Sequence, residues 1–158
     1  MDSPVIDSDE QKYADHAEAL RAAVRAAAPQ WLDRVLEPLV GGADADGRRR
    51  AVGETLAAID RQLEALAAAD PDVPMSGPLE LIRQSTEPVQ AWLAEQGVVA
   101  PARDPWDVRS SPGDLYALGP MTFSDLSDDV HVAGITWGAA KAHIHLRRRN
   151  QQADDSSA

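Results

Sequence analysis

Between Ala51 and Leu66 the chain reads AVGETLAAIDRQLEAL, and its large apolar side chains stand at Val52, Leu56, Ile59, Leu63 and Leu66. The steps between them are 4, 3, 4 and 3 residues. A helix gathers that spacing on one face, whereas a half-buried strand would need strict alternation. The stretch predicts an amphipathic helix, and both neighbouring segments repeat its period.

Upstream, Ser8 with Gln11 fits a capping box, and Asp9 and Glu10 suit the positive end of a helix dipole. Tyr13, Ala17, Leu20 and Val24 then follow at steps of 4, 3 and 4. Pro29 falls inside this pattern. A proline in a helix interior costs about 3 kcal/mol, so a kink or a fresh helix is expected there. Trp31, Leu32, Val35, Leu36 and Leu39 carry the apolar face on to Val40, and Gly41-Gly42 stops it. In the following loop, Asp44 or Asp46 is available as the next N-cap.

Downstream, Asp70-Pro71-Asp72-Val73-Pro74 reads as a rigid loop. Ser76 is placed to cap a third helix with Pro78 in its first turn. Leu79, Ile82, Val89, Trp92 and Leu93 supply its inner face, and Pro88 divides it, with Thr86 as a second cap. Gly97 followed by Val98 fits a glycine C-cap. Residues 98–127 lack period. They hold Pro101, Pro105, Pro112 and Pro120 among Trp106, Leu115, Tyr116, Leu118, Met121 and Phe123. That is too apolar for a free linker, so the segment is expected to wrap the bundle, with one short helix after Ser111-Pro112 ending at Gly119. From Ser127 to Arg149 two readings compete. Val130 to Trp137 has the β-branched content of a strand. Ile135, Ala139, Ala142 and Leu146 step by 4, 3 and 4, which favours one helix. Arg147-Arg148-Arg149 would then sit at the negative end of its dipole. The organisation expected is a flexible 1–7, one helical domain over 8–149, and a disordered polar tail over 150–158. The fold class is all-α: an irregular bundle of about four longer helices, two of them broken by proline.

Bulk composition narrows the function. Leu, Ile, Val and Phe make up 20% of 158 residues and the net charge is −11, which borders on disorder. Four Trp and 28 Ala favour closely spaced helices instead. Cysteine is absent, which excludes disulfides, thiol catalysis and thiolate metal sites. No apolar run approaches the roughly 18 residues a membrane span needs. Met1-Asp2-Ser3-Pro4 does not begin a signal peptide, so a cytoplasmic location is expected. The acidic charge disfavours nucleic acid and anionic lipid.

Chemistry-bearing residues are sparse. His143 and His145 lie about 200° apart on a helix, and His131 and His145 share a face at about 21 Å, so no pair on this helix chelates one metal. His16 could approach one of them from the first helix, with Glu18 or Asp15 nearby, but H-x-x-x-H and H-E-x-x-H are both absent. Asp125, Asp128 and Asp129 beside His131 could serve acid–base chemistry, but negative charge at a helix start already has a cause. Ser110-Ser111-Pro112-Gly113-Asp114 lacks nucleophile-elbow spacing, and no phosphate-binding glycine loop is present. Gly134, Gly138 and Ala142 form a small-residue stripe that would let another backbone approach. Arg48-Arg49-Arg50 is a solvated face or a dock for an acidic partner or phosphate.

The segment from Asp125 to Arg149, centred on Trp137-Gly138-Ala139-Ala140-Lys141-Ala142-His143, resembles uncharacterised helical proteins of actinobacteria. The resemblance covers the last third of the chain and implies no activity. The 13 Arg against two Lys fit the same high-GC bacterial background. The expected function is a small cytoplasmic interaction or regulatory protein without catalysis. Its expected partner is another protein or a second copy, bound through the Trp106–Phe123 region and the last helix, with Trp106, Tyr116, Met121, Phe123 and Trp137 as contact residues and no cofactor or metal. The alternative is a small-molecule-binding or hydrolytic enzyme with a pocket around His131 and its carboxylates. A third reading is an acidic mimic of nucleic acid.

Overall fold

The structure is a computed structural model that describes residues 8–72, 76–98, 118, 120 and 122–157. Among these residues are five α-helices, one turn of 3-10 helix and no strand. The helices are α1 (Ser8–Val40), α2 (Ala45–Ala68), α3 (Pro78–Gln84), α4 (Glu87–Glu95) and α5 (Asp128–Ser157), with the 3-10 turn at Phe123–Asp125. The protein is an all-α bundle. Residues 130–137 belong to α5, so the strand alternative falls away.

α1 lies against both α2 and α5, while α3 and α4 pack on α2. The main core joins Leu20, Val24 and Leu32 of α1 to Ile59, Leu63 and Leu66 of α2 and to Val130, Trp137 and Ile144 of α5. A second cluster gathers Leu36, Ala51, Val89, Trp92, Leu93 and Leu118. The α2 face read from its spacing is the buried one, with Val52 and Leu56 at its half-buried margin.

No fresh helix starts at Pro29: α1 runs through Pro29 and Pro38 as one helix. Both rings sit on its exposed side, while Ala28, Trp31, Leu32 and Leu36 around them are buried. Burial of the larger of these side chains is worth about 1.5–3 kcal/mol each, in total of the same order as the penalty of about 3 kcal/mol per proline. The break before Pro88 does occur, at Ser85-Thr86. The expected caps differ in detail. Gly77, not Ser76, holds the N-cap of α3. Thr86 stands at the N-cap of α4, but its hydroxyl donates to the Arg83 carbonyl at 2.8 Å. The Gln11 amide donates to Asp15 at 2.9 Å.

α5 departs most from expectation. Its buried side chains are Val130, Trp137 and Ile144, with Gly134 between them, whereas Ile135 and Leu146 are more than half exposed. The periodic line of Ile135, Ala139, Ala142 and Leu146 faces away from the core. The helix also continues to Ser157, so residues 150–157 are helical where a disordered tail was expected. Arg147 and Arg148 therefore stand inside the helix, not at its end. Arg147 pairs with Asp9 at 2.6 Å. Arg148 reaches Glu10 and Asp70, each at 2.8 Å, and also Asp72. These pairs tie α5 to the start of α1 and to the loop after α2. No helix among the described residues is long and apolar enough to cross a membrane.

Candidate functional site

α5 carries two apolar lines on opposite sides. Val130, Trp137 and Ile144 recur every seven residues and face the core. Val132, Ile135, Ala139, Ala142 and Leu146 follow at steps of 3, 4, 3 and 4 and face away from it. At 100° per residue the second line stays within a sector of about 80°, roughly opposite the first, and spans about 21 Å. Val132 is 63% exposed and Ile135 and Leu146 are each 57% exposed. The fourth large apolar side chain exposed among the described residues is Leu39, on α1. Polar groups flank the outer line. Lys12, His16 and Asp9 of α1 face Thr136 and His143 across a groove of about 310 Å³. His143 Nε2 lies 3.3 Å from Asp9 Oδ2, and His145 Nδ1 lies 2.7 Å from Asp72 Oδ1.

The small-residue stripe divides between two roles. A side chain at Gly134 would overlap the Phe123 ring, so that glycine gives the ring its seat. Gly138, expected to admit a neighbouring backbone, meets nothing within 4 Å. Its open side lies beside the outer line.

The expected contact residues are placed as follows. Trp106, Tyr116 and Met121 lie outside the described residues. Phe123 is half-buried against α5. Trp137 is only 7% exposed, with its ring centroid 6.3 Å from that of Tyr13 and Lys141 Nζ 5.3 Å from its face. It is a core residue and offers no free surface. The outer line itself was legible in the sequence as a periodic face of the last helix.

The residues of the hydrolytic alternative do not converge in an enclosed pocket. Asp125 accepts from the Thr122 backbone N–H at 3.0 Å within a capping box. Asp128 and Asp129 are exposed in the first turn of α5, and His131 is exposed one turn on. No group of three His, Asp or Glu side chains placed to hold a metal occurs among the described residues. Arg48, read as a solvated cation or a dock, closes the α1–α2 corner. It donates to Glu37 and to the Gly41 carbonyl at 2.9 Å, and to Asp33 at 3.2 Å. The Glu37 contact, followed by Asp33, raises its pKa against the opposing effect of burial.

Asp60 of α2 sits between two guanidiniums, with Arg21 Nε at 2.9 Å and Arg25 Nη2 at 2.8 Å. Arg21 first and Arg25 second hold its carboxyl well below the usual carboxylate range. The ion pairs cover an apolar cavity of about 250 Å³ lined by Val24, Ala28, Pro29, Leu56, Ile59 and Leu63. No family model, curated protein or solved structure matches the chain.

Proposed function

We propose that this chain is a small cytoplasmic interaction or regulatory protein without catalytic activity, and that the outer face of α5 is its contact surface. The observation that carries this reading is the alignment of Val132, Ile135 and Leu146, all more than half exposed, along one helix face. Single exposed apolar side chains are ordinary on protein surfaces. Three in helical register, joined by two alanines, form a continuous stripe of the kind that marks protein–protein contact. The scaffold beneath is held by core packing and by the Arg147 and Arg148 pairs, so the stripe rides on a fixed helix.

The test is photo-cross-linking in the cells the protein comes from, with the reactive group at Ile135 or Leu146 and a control at exposed Glu54 of α2. Discrete adducts from the two α5 positions and none from the control are expected. Equal or absent adducts at all three positions overturn the reading.

A further inference from the structure

The cavity between α1 and α2 has a floor and a rim of different chemistry. Val24 and Ala28 of α1 and Leu56, Ile59 and Leu63 of α2 make the floor, and Arg21, Arg25, Pro29 and Asp60 stand at the rim. Arg25 and Pro29 are exposed, so the cavity opens on their side. We infer that this cavity binds a small uncharged compound of about two fused rings that carries one N–H or O–H donor. The site is separate from the outer face of α5 and does not rest on reading that face as a contact surface. Its volume is about 250 Å³. An apolar cavity of about 150 Å³ stays dry and takes up benzene, so the larger space here admits a second ring. Left empty, such a space costs stability that rises with its volume.

The rim selects charge and polarity. Asp60 accepts from both guanidiniums, at 2.9 Å from Arg21 and 2.8 Å from Arg25. Arg21 also lies 3.5 Å from Glu18 and 3.6 Å from Glu64. Three carboxylates thus face two guanidiniums. An anionic ligand would have to take a guanidinium from Asp60, and a cationic one would enter past both guanidiniums. An uncharged ligand disturbs neither pair. The donor is selected by Pro29. Proline has no N–H, so the Arg25 carbonyl lacks its usual helical donor. A helix carbonyl points along the axis toward the residue four positions on. Arg25, Ala28 and Pro29 all border the cavity, which puts this acceptor on the cavity side of α1. A proline inside a helix and an unfilled apolar space are each costly. Here they coincide, and one ligand with an apolar body and a single donor answers both.

Indole is the probe, set beside benzofuran, which has the same shape but no donor, and benzoate, which is smaller but charged. Binding to the full-length protein is followed by titration calorimetry and by the NMR methyl signals of Val24, Leu56, Ile59 and Leu63. Saturable indole binding that moves these signals is expected. Benzofuran should bind about fivefold more weakly, the worth of one hydrogen bond, and benzoate should not bind. Pro29→Ala returns an N–H to the Arg25 carbonyl, so it should bind indole and benzofuran equally with unchanged helical circular dichroism. Ala28→Leu projects an isopropyl group into the cavity and should bind neither; if it fails to fold, Pro29→Ala carries the test. Absence of saturable indole binding, benzoate bound as tightly as indole, signals that move only outside the cavity, or a Pro29→Ala protein that still prefers indole fivefold overturns the inference.

Discussion

Trp92 of α4 donates its indole N–H to Asp44, the N-cap residue of α2, at 3.2 Å. The other carboxylate oxygen of Asp44 accepts from the Gly47 backbone N–H, also at 3.2 Å. One carboxylate thus starts α2 and fastens α4 to that start. Asp44 does this at φ +43°, a left-handed conformation that Asp and Asn tolerate better than other side chains. Asp44→Ala loses the cap and the indole partner and keeps the strained backbone, so a loss of about 1–2 kcal/mol is expected. Asp44→Asn should lose less. Chemical denaturation of the two variants checks the order.

The two glycines of α5 predict opposite signs. Gly134→Ala pushes a methyl group into the Phe123 ring. Overpacking of this kind costs about 1–3 kcal/mol, more than the gain of about 1 kcal/mol from replacing a helical glycine. Gly138→Ala meets nothing within its own chain and should gain about 1 kcal/mol in the monomer. Chemical denaturation of Gly134→Ala and Gly138→Ala checks the two signs.

Thr55 is fully buried on α2, and its hydroxyl has no hydrogen-bond partner among the described residues. A buried hydroxyl without a partner costs about 1–3 kcal/mol. Thr55→Val removes the hydroxyl at nearly constant shape, and stabilisation of about 1 kcal/mol is expected. Leu63→Ala is the control from the same helix. Leu63 is buried in the core, and its truncation should cost about 2–5 kcal/mol. Urea midpoints for both variants give the signs directly.

Acid should weaken the bundle through two carboxylates. Arg21 and then Arg25 lower the pKa of Asp60. Arg148 and then the Asp72 backbone N–H lower that of Asp70. A carboxyl whose folded pKa is depressed stabilises the fold above its unfolded pKa, about 3.9, and that contribution is lost as pH falls toward the folded value. The melting temperature should therefore hold steady with respect to these groups above about pH 5 and fall below about pH 4. Asp60→Asn should melt lower at neutral pH and show a shallower acid slope. An unchanged slope would remove Asp60 from the account.

The α2 face was legible because its apolar and polar residues segregate cleanly, leaving one side to bury. α5 hid its inner face for the opposite reason. Trp137 and Ile144 mark one apolar line and Ile135 and Leu146 another, and spacing alone cannot choose between them. The bulk of Trp137 was the better cue, since a ring of that size gains most from burial. The penalty assigned to Pro29 was real but local, and the packing that offsets it comes from α2 and α5 as well as α1. Asp44 was readable as a cap, because capping is a matter of three residues. Its bond to Trp92, 48 residues on, depends on the path of the chain between them. The same holds for the seat of Phe123 on Gly134.

Arg147 and Asp9 meet across 138 positions of sequence, and this sets an order on synthesis. The face of α1 that α5 covers is translated well before its cover exists. A nascent chain must carry Tyr13, Ala17 and Leu20 without their α5 neighbours until the last helix has left the ribosome. Long-range closure of this kind slows folding and prolongs the exposure of apolar surface. Any early stop before α5 would leave that surface uncovered for good, a form that quality-control proteases are suited to remove.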